Sequence, residues 1–438
     1  MFQKKWTRRA FRLALAVALT LPLSVSGSAD AARAADPADR TATETADAMG
    51  IGWNLGNSLD AYHPGGKAEE TAWGNPVITK ELLDAVKAEG FTTVRIPVTY
   101  IGHVGAAPDY TIDSAYLDRV QEVVDYAYDN GLYVVINIHH DGGDDPQGGT
   151  WINCAATGEE QAAIQARFRR MWEQIAARFA DYDQHLLFEG MNEIHEHGNW
   201  NTPDDYGVMK NVNAYNQLFV DAVRAAGGRN ADRILIASGY NTNINITTDP
   251  ASGWQLPTDP VKDHLMVSLH YYDPYDFTIN SDTKTGVWAW GEQAVKRGDK
   301  ALANHTEVNT DASMRKLHDT FVTKGIPVFI GEYGAIDKTK ENKRNQGYRE
   351  HWYRYVTKDI KAAGGIPVVW DNGAPNEDTF TFVNRKTNSV GDKRLLKAVK
   401  DGYNDAEKEL RQEVKLTQTK PLPPGEVARV ARRSGCRR

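Results

Sequence analysis

The chain's 438 residues are 41% hydrophobic and 10% aromatic, enough for one large core or two modest ones. Its formal charge of −7 disfavours a nucleic-acid partner, since phosphate binding needs a basic face, and suits a neutral ligand. Two cysteines exclude a disulfide framework: Cys436 lies in a basic, Pro-containing end, and it and Cys154 are expected to stay free unless that end folds back.

At the N-terminus Lys4, Lys5, Arg8 and Arg9 precede an apolar run from Ala10 to Leu23, broken only by Arg12 and Thr20, and Ala32-Arg33-Ala34 is a suitable cleavage tripeptide. Residues 1–34 thus read as a secretory signal, too short and wrongly flanked for a lasting membrane span. Removing them takes the formal charge to about −12. No second apolar stretch approaches membrane length, so a secreted, extracellular bacterial protein without a membrane partner is expected, as a monomer. Residues 35–48 read as a short polar linker.

From Gly50 the pattern becomes regular. Eight candidate strands follow: Ile51 to Asn54, Thr92 to Pro97, Leu132 to His139, His185 to Glu189, Arg233 to Ala237, His264 to His270, Pro327 to Gly331 and Ile366 to Trp370. Between most pairs lie amphipathic helical patterns: Lys80 to Glu89, Ser114 to Asp129, Glu159 to Phe179, Asn211 to Ala226, Ala312 to Thr323 and Tyr348 to Ala363. In the second helix Leu117, Val120, Val124 and Ala127 recur at helical spacing behind Asp113, a suitable N-cap. The crossover between the fifth and sixth strands is weakest, because Gly239 to Pro260 is mostly polar, and Lys393 to Val399 is a last helical pattern.

This alternation predicts an α/β fold, a single (β/α)8 TIM barrel over residues 49–405, with a disordered basic tail over 406–438. A doubly wound open sheet competes, but no Gly-rich phosphate loop follows the first strand.

Polar residues collect at the ends of these strands. Arg95 ends the second, Asn137, His139, His140 and Asp141 the third, Asn192-Glu193 the fourth, His270-Tyr271-Tyr272 the sixth, Glu332 the seventh and Trp370-Asp371-Asn372 the eighth. The C-terminal face of a barrel's strands is where such groups build a site. Two rim glutamates suit glycosidic bond cleavage, one protonating the leaving oxygen and the other attacking or activating water. Alternation admits only one inward-pointing residue of His139 and His140. Asp141, Asp144 and Asp145 lack calcium-loop spacing and read as a solvated turn, and His195 and His197 beside Glu193 lack the His-Glu-x-x-His helix of a zinc site. No metal is therefore expected. Eight of the eleven tryptophans (Trp53, Trp73, Trp151, Trp200, Trp254, Trp288, Trp290 and Trp370) fall at strand ends or in loops, and about half are expected to line a cleft.

The stretches Gly52-Trp53-Asn54-Leu55-Gly56-Asn57-Ser58-Leu59-Asp60, Glu70-Thr71-Ala72-Trp73-Gly74-Asn75-Pro76, Phe188-Glu189-Gly190-Met191-Asn192-Glu193, His270-Tyr271-Tyr272 and Gly331-Glu332-Tyr333-Gly334 resemble the family 5 glycoside hydrolases. The bacterial β-1,4-endoglucanase branch, which includes xyloglucanases, mixed-linkage glucanases (lichenases) and some xylanases, is the most similar. The resemblance covers roughly Met49 to Val399. It implies endo-acting, retaining hydrolysis of a β-glucan polysaccharide without a cofactor. It also implies Glu193 as acid/base, Glu332 as nucleophile, Asn192 as a contact to the sugar 2-hydroxyl and Arg95 and Tyr272 as groups that hold the nucleophile. His139 and His270 become cleft histidines, Trp370 a sugar platform, and Asn54 and Trp73 weaker substrate contacts. A β-mannanase using the same chemistry and a non-catalytic carbohydrate-binding barrel are the alternatives. The mechanism needs Glu193 with a raised pKa and Glu332 ionised.

Overall fold

A computed structural model describes residues 40–419, apart from 144, 146–147, 197–198, 201 and 374–377, with side chains as far as 412. The expected signal, Asp144, His197 and Cys436 lie outside the described residues. The elements are α1 (Ala42–Met49), β1 (Gly52–Asn54), α2 (Lys80–Ala88), β2 (Thr93–Ile96), α3 (Ser114–Tyr128), β3 (Tyr133–Asn137), α4 (Gly158–Arg178), β4 (Leu186–Glu189), α5 (Met209–Ala225), β5 (Leu235–Ser238), α6 (Ile244–Thr247), β6 (Leu265–Tyr271), α7 (Tyr275–Thr278), α8 (Glu292–Arg297), α9 (Glu307–Thr320), β7 (Val328–Tyr333), α10 (Asn345–Ala362), β8 (Gly365–Val369), β9 (Val383–Asn384), β10 (Ser389–Val390) and α11 (Lys393–Thr419). Strands β1 to β8 pair in parallel in sequence order and β8 closes on β1, which makes one barrel and rules out the open sheet.

The helices form where apolar residues recur on one side. On α3, Leu117, Val120, Val124 and Ala127 are buried, and the Asp113 side chain accepts from the Ala115 N–H at 3.0 Å to cap the first turn. On α4 the buried stripe is Ile164, Phe168, Met171, Trp172 and Ile175. Each large side chain so buried contributes about 1.5–3 kcal/mol. The weak crossover is filled by the single turn of α6, whose Ile244 and Ile246 join the same core.

Inside the barrel the two-residue period sorts apolar from polar groups. Tyr133, Val135, Leu187, Ile236, Met266, Phe329, Ile366 and Val368 pack together in the lower interior. Continuing the same phase upward leads to Asn137, Glu189, Ser268, His270 and Trp370. Between β6 and β7 the register shifts after Leu269, so that Leu269 faces Ile330 but His270 faces Glu332, with Gly331 as the extra residue. This bulge re-aims both side chains at the barrel mouth.

Two expectations about the ends are corrected. The residues read as a polar linker include α1, whose Thr41 and Glu44 form a capping box. Ala42 and Met49 of α1 are buried against the lower barrel interior, and the Met49 carbonyl accepts from the Thr92 and Thr93 hydroxyls at 2.5 and 2.6 Å. Two buried apolar residues over the whole of this eight-residue helix are too few to read as a period. The last helix was expected to end at Val399, with a disordered tail from 406; α11 instead continues to Thr419. It packs along α10, with Leu395, Leu396, Val399 and Ala406 buried and ion pairs Arg354–Asp405 (2.6 Å) and Lys361–Glu407 (3.2 Å). The charges that suggested solvation are partners for α10.

Candidate active site

The site starts from Arg95, which β2 carries into the barrel at 0% exposure. A buried guanidinium must find acceptors for its donors. Nε donates to Glu189 Oε2 at 2.7 Å, Nη1 to Glu332 Oε1 at 2.7 Å and Asn54 Oδ1 at 3.1 Å, and Nη2 to Asn192 Oδ1 at 2.8 Å. Burial opposes the charge of Arg95, but Glu189 and Glu332 outweigh it and hold the guanidinium pKa above its ordinary value. Because the Asn192 oxygen is taken by Arg95, its amide nitrogen is left to donate elsewhere.

Several expected groups converge on Glu332. Besides Arg95, the Tyr272 hydroxyl donates to Oε2 at 2.9 Å, His270 Nδ1 lies 3.6 Å from Oε2, and His139 Nε2 lies 4.0 Å from Oε1. Glu193 sits opposite, its Oε1 2.6 Å from the same His270 Nδ1 and accepting from the Thr242 hydroxyl at 3.4 Å. One oxygen of each glutamate and one His270 nitrogen all lie within 4.8 Å of one another. The Glu193 side chain keeps 23% exposure against 7% for Glu332. The more open carboxyl is the one without a permanent cation.

The expected pKa order is reversed here. Burial raises Glu193, but the His270 hydrogen bond and the charges of His270, His195 and His140 bring it below the ordinary carboxylate value. Burial likewise raises Glu332; His270 and Arg95 oppose, Glu193 adds to it, and it ends above that value. The expectation counted carboxylates and omitted the imidazole between them. A Glu193 anion beside a His270 cation holds the same proton as a neutral Glu193 beside a neutral His270, moved across one 2.6 Å contact.

Two further histidines of the site, His139 and His140, are held neutral. His139 is pushed well below its ordinary value by burial and then by His140, Arg95 and His270, and burial takes His140 to about 4. Asn137 Nδ2 lies 3.1 Å from His139 Nδ1, which leaves Nε2 to face Glu332. The strand ends at Asn137, so alternation no longer governs these two residues. His139 lies flat against Trp370 (6.1 Å between centroids, 2° between planes), whereas His140 borders Trp73 at 5.4 Å. Tyr272 is raised well above its usual value by burial and the charges of Glu332 and Glu193, so it stays a donor.

Not every candidate reaches the cleft. Asn54 was expected as a substrate contact, but it is fully buried: its nitrogen donates to the Gly331 and Val369 carbonyls at 2.7 and 3.2 Å and its oxygen holds Arg95. Asp141 is no solvated turn either; it is buried, accepting from the Tyr100 N–H and Trp151 Nε1, each at 2.7 Å. Of the eight tryptophans, Trp73 and Trp200 are 41% and 54% exposed and Trp370 lies over Gly56 and parallel to His139. Trp53, Trp288 and Trp290 are buried, Trp254 packs edge-on to Phe321, and Trp151 serves Asp141. Cys154 is buried and free. Sequence reasoning missed Glu189 and Ser268 as site members and gave Asn137 only as a polar strand end. Their signal was parity: Glu189 stands two residues above the inward Leu187 and directly beside Asn137 in the β3–β4 register.

Among the described residues, Glu193, His270 and Glu332, and likewise Asp60, His139 and His140, offer three metal-ligand atoms within 4.8 Å. Their lone pairs have other partners: Asp60 accepts from the Asn57 and Ser58 N–H groups, and Glu193 is engaged by His270.

The profile of the cellulase family, glycosyl hydrolase family 5, matches residues 59–376. The chain is 39% identical to Endoglucanase A of Paenibacillus barcinonensis over 90% of its own length and 99% of that protein. Among solved structures it is similar to a family 5 xyloglucanase from Paenibacillus pabuli, with 41% identity, 82% and 99% of the two chains covered and a TM-score of 0.78. A GH5-4 broad specificity endoglucanase from Ruminococcus champanellensis with bound cellotriose gives 36% identity, 82% and 98% coverage and a TM-score of 0.72.

Proposed function

The chain belongs to glycosyl hydrolase family 5, and we propose that it cleaves internal β-1,4-glucan linkages by double displacement, with Glu332 as nucleophile and Glu193 as acid/base. The observation that carries this reading is the asymmetry of the two carboxyls. One oxygen of each comes within 4.8 Å of an oxygen of the other, and both border the same His270 nitrogen, a proximity that favours the close carboxyl pair of a retaining enzyme over the wider gap, roughly 6.5–9.5 Å, that places a water for inversion. Only Glu332 bears the permanent charge of Arg95 and the Tyr272 hydroxyl, which favour its anion.

Each step follows from these contacts. Glu193 in its protonated form gives its proton to the glycosidic oxygen while Glu332 attacks the anomeric carbon, giving a glycosyl-enzyme and a free chain end. Glu193, now ionised, draws a proton from water, whose oxygen displaces Glu332. The Asn192 amide, turned outward by Arg95, donates to the 2-hydroxyl, a bond that accelerates reaction insofar as it strengthens in the transition state. Trp370, flat against His139, offers its face to the apolar side of the sugar ring. Residues 1–34, read as an export signal, place this activity outside the cell, where the polymer is.

Azide distinguishes the two roles. Glu193→Ala should accumulate the covalent species on an activated aryl glycoside and regain turnover with azide, releasing a β-glycosyl azide. Glu332→Ala should give the α product or nothing. The opposite pattern would exchange the roles. For the preferred polymer, reducing-end release is compared on carboxymethyl cellulose, xyloglucan, lichenan, xylan and mannan; a preference for mannan or xylan would overturn the β-glucan assignment.

A further inference from the structure

We propose that Glu189 is a positioning residue that sets the basicity of Glu332 by holding Arg95 between two carboxylates. The proposal rests on Glu332 being the nucleophile. Glu189 is fully buried in the barrel wall and touches no substrate surface. Its Oε2 accepts from Arg95 Nε at 2.7 Å and Asn137 Nδ2 at 2.9 Å, and its Oε1 accepts from the Ser268 hydroxyl at 2.5 Å. All three partners donate, as an anion requires. Burying a second carboxylate under a reacting pair is costly unless its charge is used.

Its use lies in the geometry of the guanidinium. Arg95 meets Glu189 through Nε and Glu332 through Nη1, both at 2.7 Å, so one cation serves two anions. With Arg95 bound to Glu332 alone, the full attraction would fall on the nucleophile and make it a weaker base and a weaker attacker. Glu189 withdraws part of that attraction and, by fixing Nε, also fixes the direction in which Nη1 and Nη2 hold Glu332 and Asn192. The other groups facing Glu332 are His139 after β3, Glu193 after β4, and His270 and Tyr272 at the end of β6, with Asp60 after β1 interacting at longer range. None of them contacts Arg95 Nε.

The test is the acid limb of the pH profile, because a merely structural role would lower activity without moving it. Glu189→Gln keeps the shape and the acceptor for Nε but removes the charge. The limb for kcat/KM should move down by about half a pH unit or more, and the rate of Glu332 labelling by an activated 2-deoxy-2-fluoro cellobioside should fall about 10- to 100-fold at neutral pH, the range expected for a lost electrostatic contact. Ser268→Ala acts in the opposite sense: without the hydroxyl, the Glu189 charge bears more fully on Arg95 and the limb should move up by a few tenths of a unit. Recovery of the labelled Glu332 peptide from the unsubstituted protein tests the nucleophile separately. An unmoved or raised limb in folded Glu189→Gln overturns the proposal. If that variant does not fold, an unmoved or lowered limb in Ser268→Ala overturns it.

Discussion

Tyr272 and Arg95 both hold Glu332, yet they differ as controls on it. Arg95 has four hydrogen bonds within the barrel wall, so replacing it takes a donor from Glu189, Asn54 and Asn192 as well as from Glu332. Tyr272 gives one bond, 2.9 Å to Oε2. Tyr272→Phe should therefore fold normally, lose about 10- to 100-fold in kcat and raise the acid limb, because removing a donor to the anion favours its protonated form. A pH–rate profile of the variant checks the sign; a lowered limb would show that the hydroxyl does not act on Glu332. Gly56 matters for a different reason. A Cβ there would stand 2.7 Å from the Trp370 ring and 2.8 Å from the Asp371 carbonyl, so Gly56→Ala must displace the platform. An intact fold with kcat/KM reduced about tenfold or more is expected, measured on a glucan oligosaccharide.

At the scale of elements, α10 carries a pH-dependent liability. Burial, and then the charge of Asp311, push Asp359 up to about 7, with Lys358 and Arg315 only partly offsetting them. Between about pH 4 and 7 the folded chain keeps a proton that the unfolded chain has released, so stability falls as pH rises through that window and levels off above it. Asp359→Asn should gain on the unsubstituted protein from pH 4 to 7 and then hold a constant advantage of about 1–3 kcal/mol, allowing for the carboxyl's partial contact with solvent. Urea unfolding across that range reads the difference; a gap independent of pH would remove the carboxyl as its cause. The β6–β7 bulge is the other decisive element, since Gly331 gives His270 and Glu332 adjacent places that an unbroken register would deny them.

For the whole molecule, the barrel floor depends on a helix outside the repeating pattern. Met49 is 0% exposed, Ala42 donates from its N–H to the Asp263 carbonyl at 2.7 Å, and Arg40 Nη1 donates to the Tyr133 hydroxyl at 2.7 Å. A chain beginning at Gly50 should remain a barrel but lose about 2–5 kcal/mol from the exposed floor and the lost hydrogen bonds. Chemical denaturation reads that loss, while KM on soluble glucan should be unchanged because the cleft is at the opposite end. At the far terminus α11 buries Ala406 against the body, so limited proteolysis should spare a core from about Ala42 to about Ala406. Cleavage into two stable halves would contradict a closed barrel with one core.

The sequence by itself determined the eight strands, the helices between them and the rim on which Arg95, Glu193, His270, Tyr272, Glu332 and Trp370 stand. Those features follow from local periods of two and 3.6 residues and from polar groups that end apolar runs, both written within a few neighbouring positions. The closure of β8 on β1, the plug of α1 and the extension of α11 along α10 were decided by tertiary packing, because short or charged segments acquire their order from distant partners. The same holds inside the site. Asn54 reads as a substrate contact and Glu189 as a strand residue until Arg95 arrives from another strand, and the direction of the Glu193 pKa depends on His270, 77 positions away and 2.6 Å distant. Electrostatics acts through space, so pKa values and hydrogen-bond roles belonged to the folded barrel, whereas Glu193 and Glu332 were already legible along the chain as carboxylates that end apolar strands.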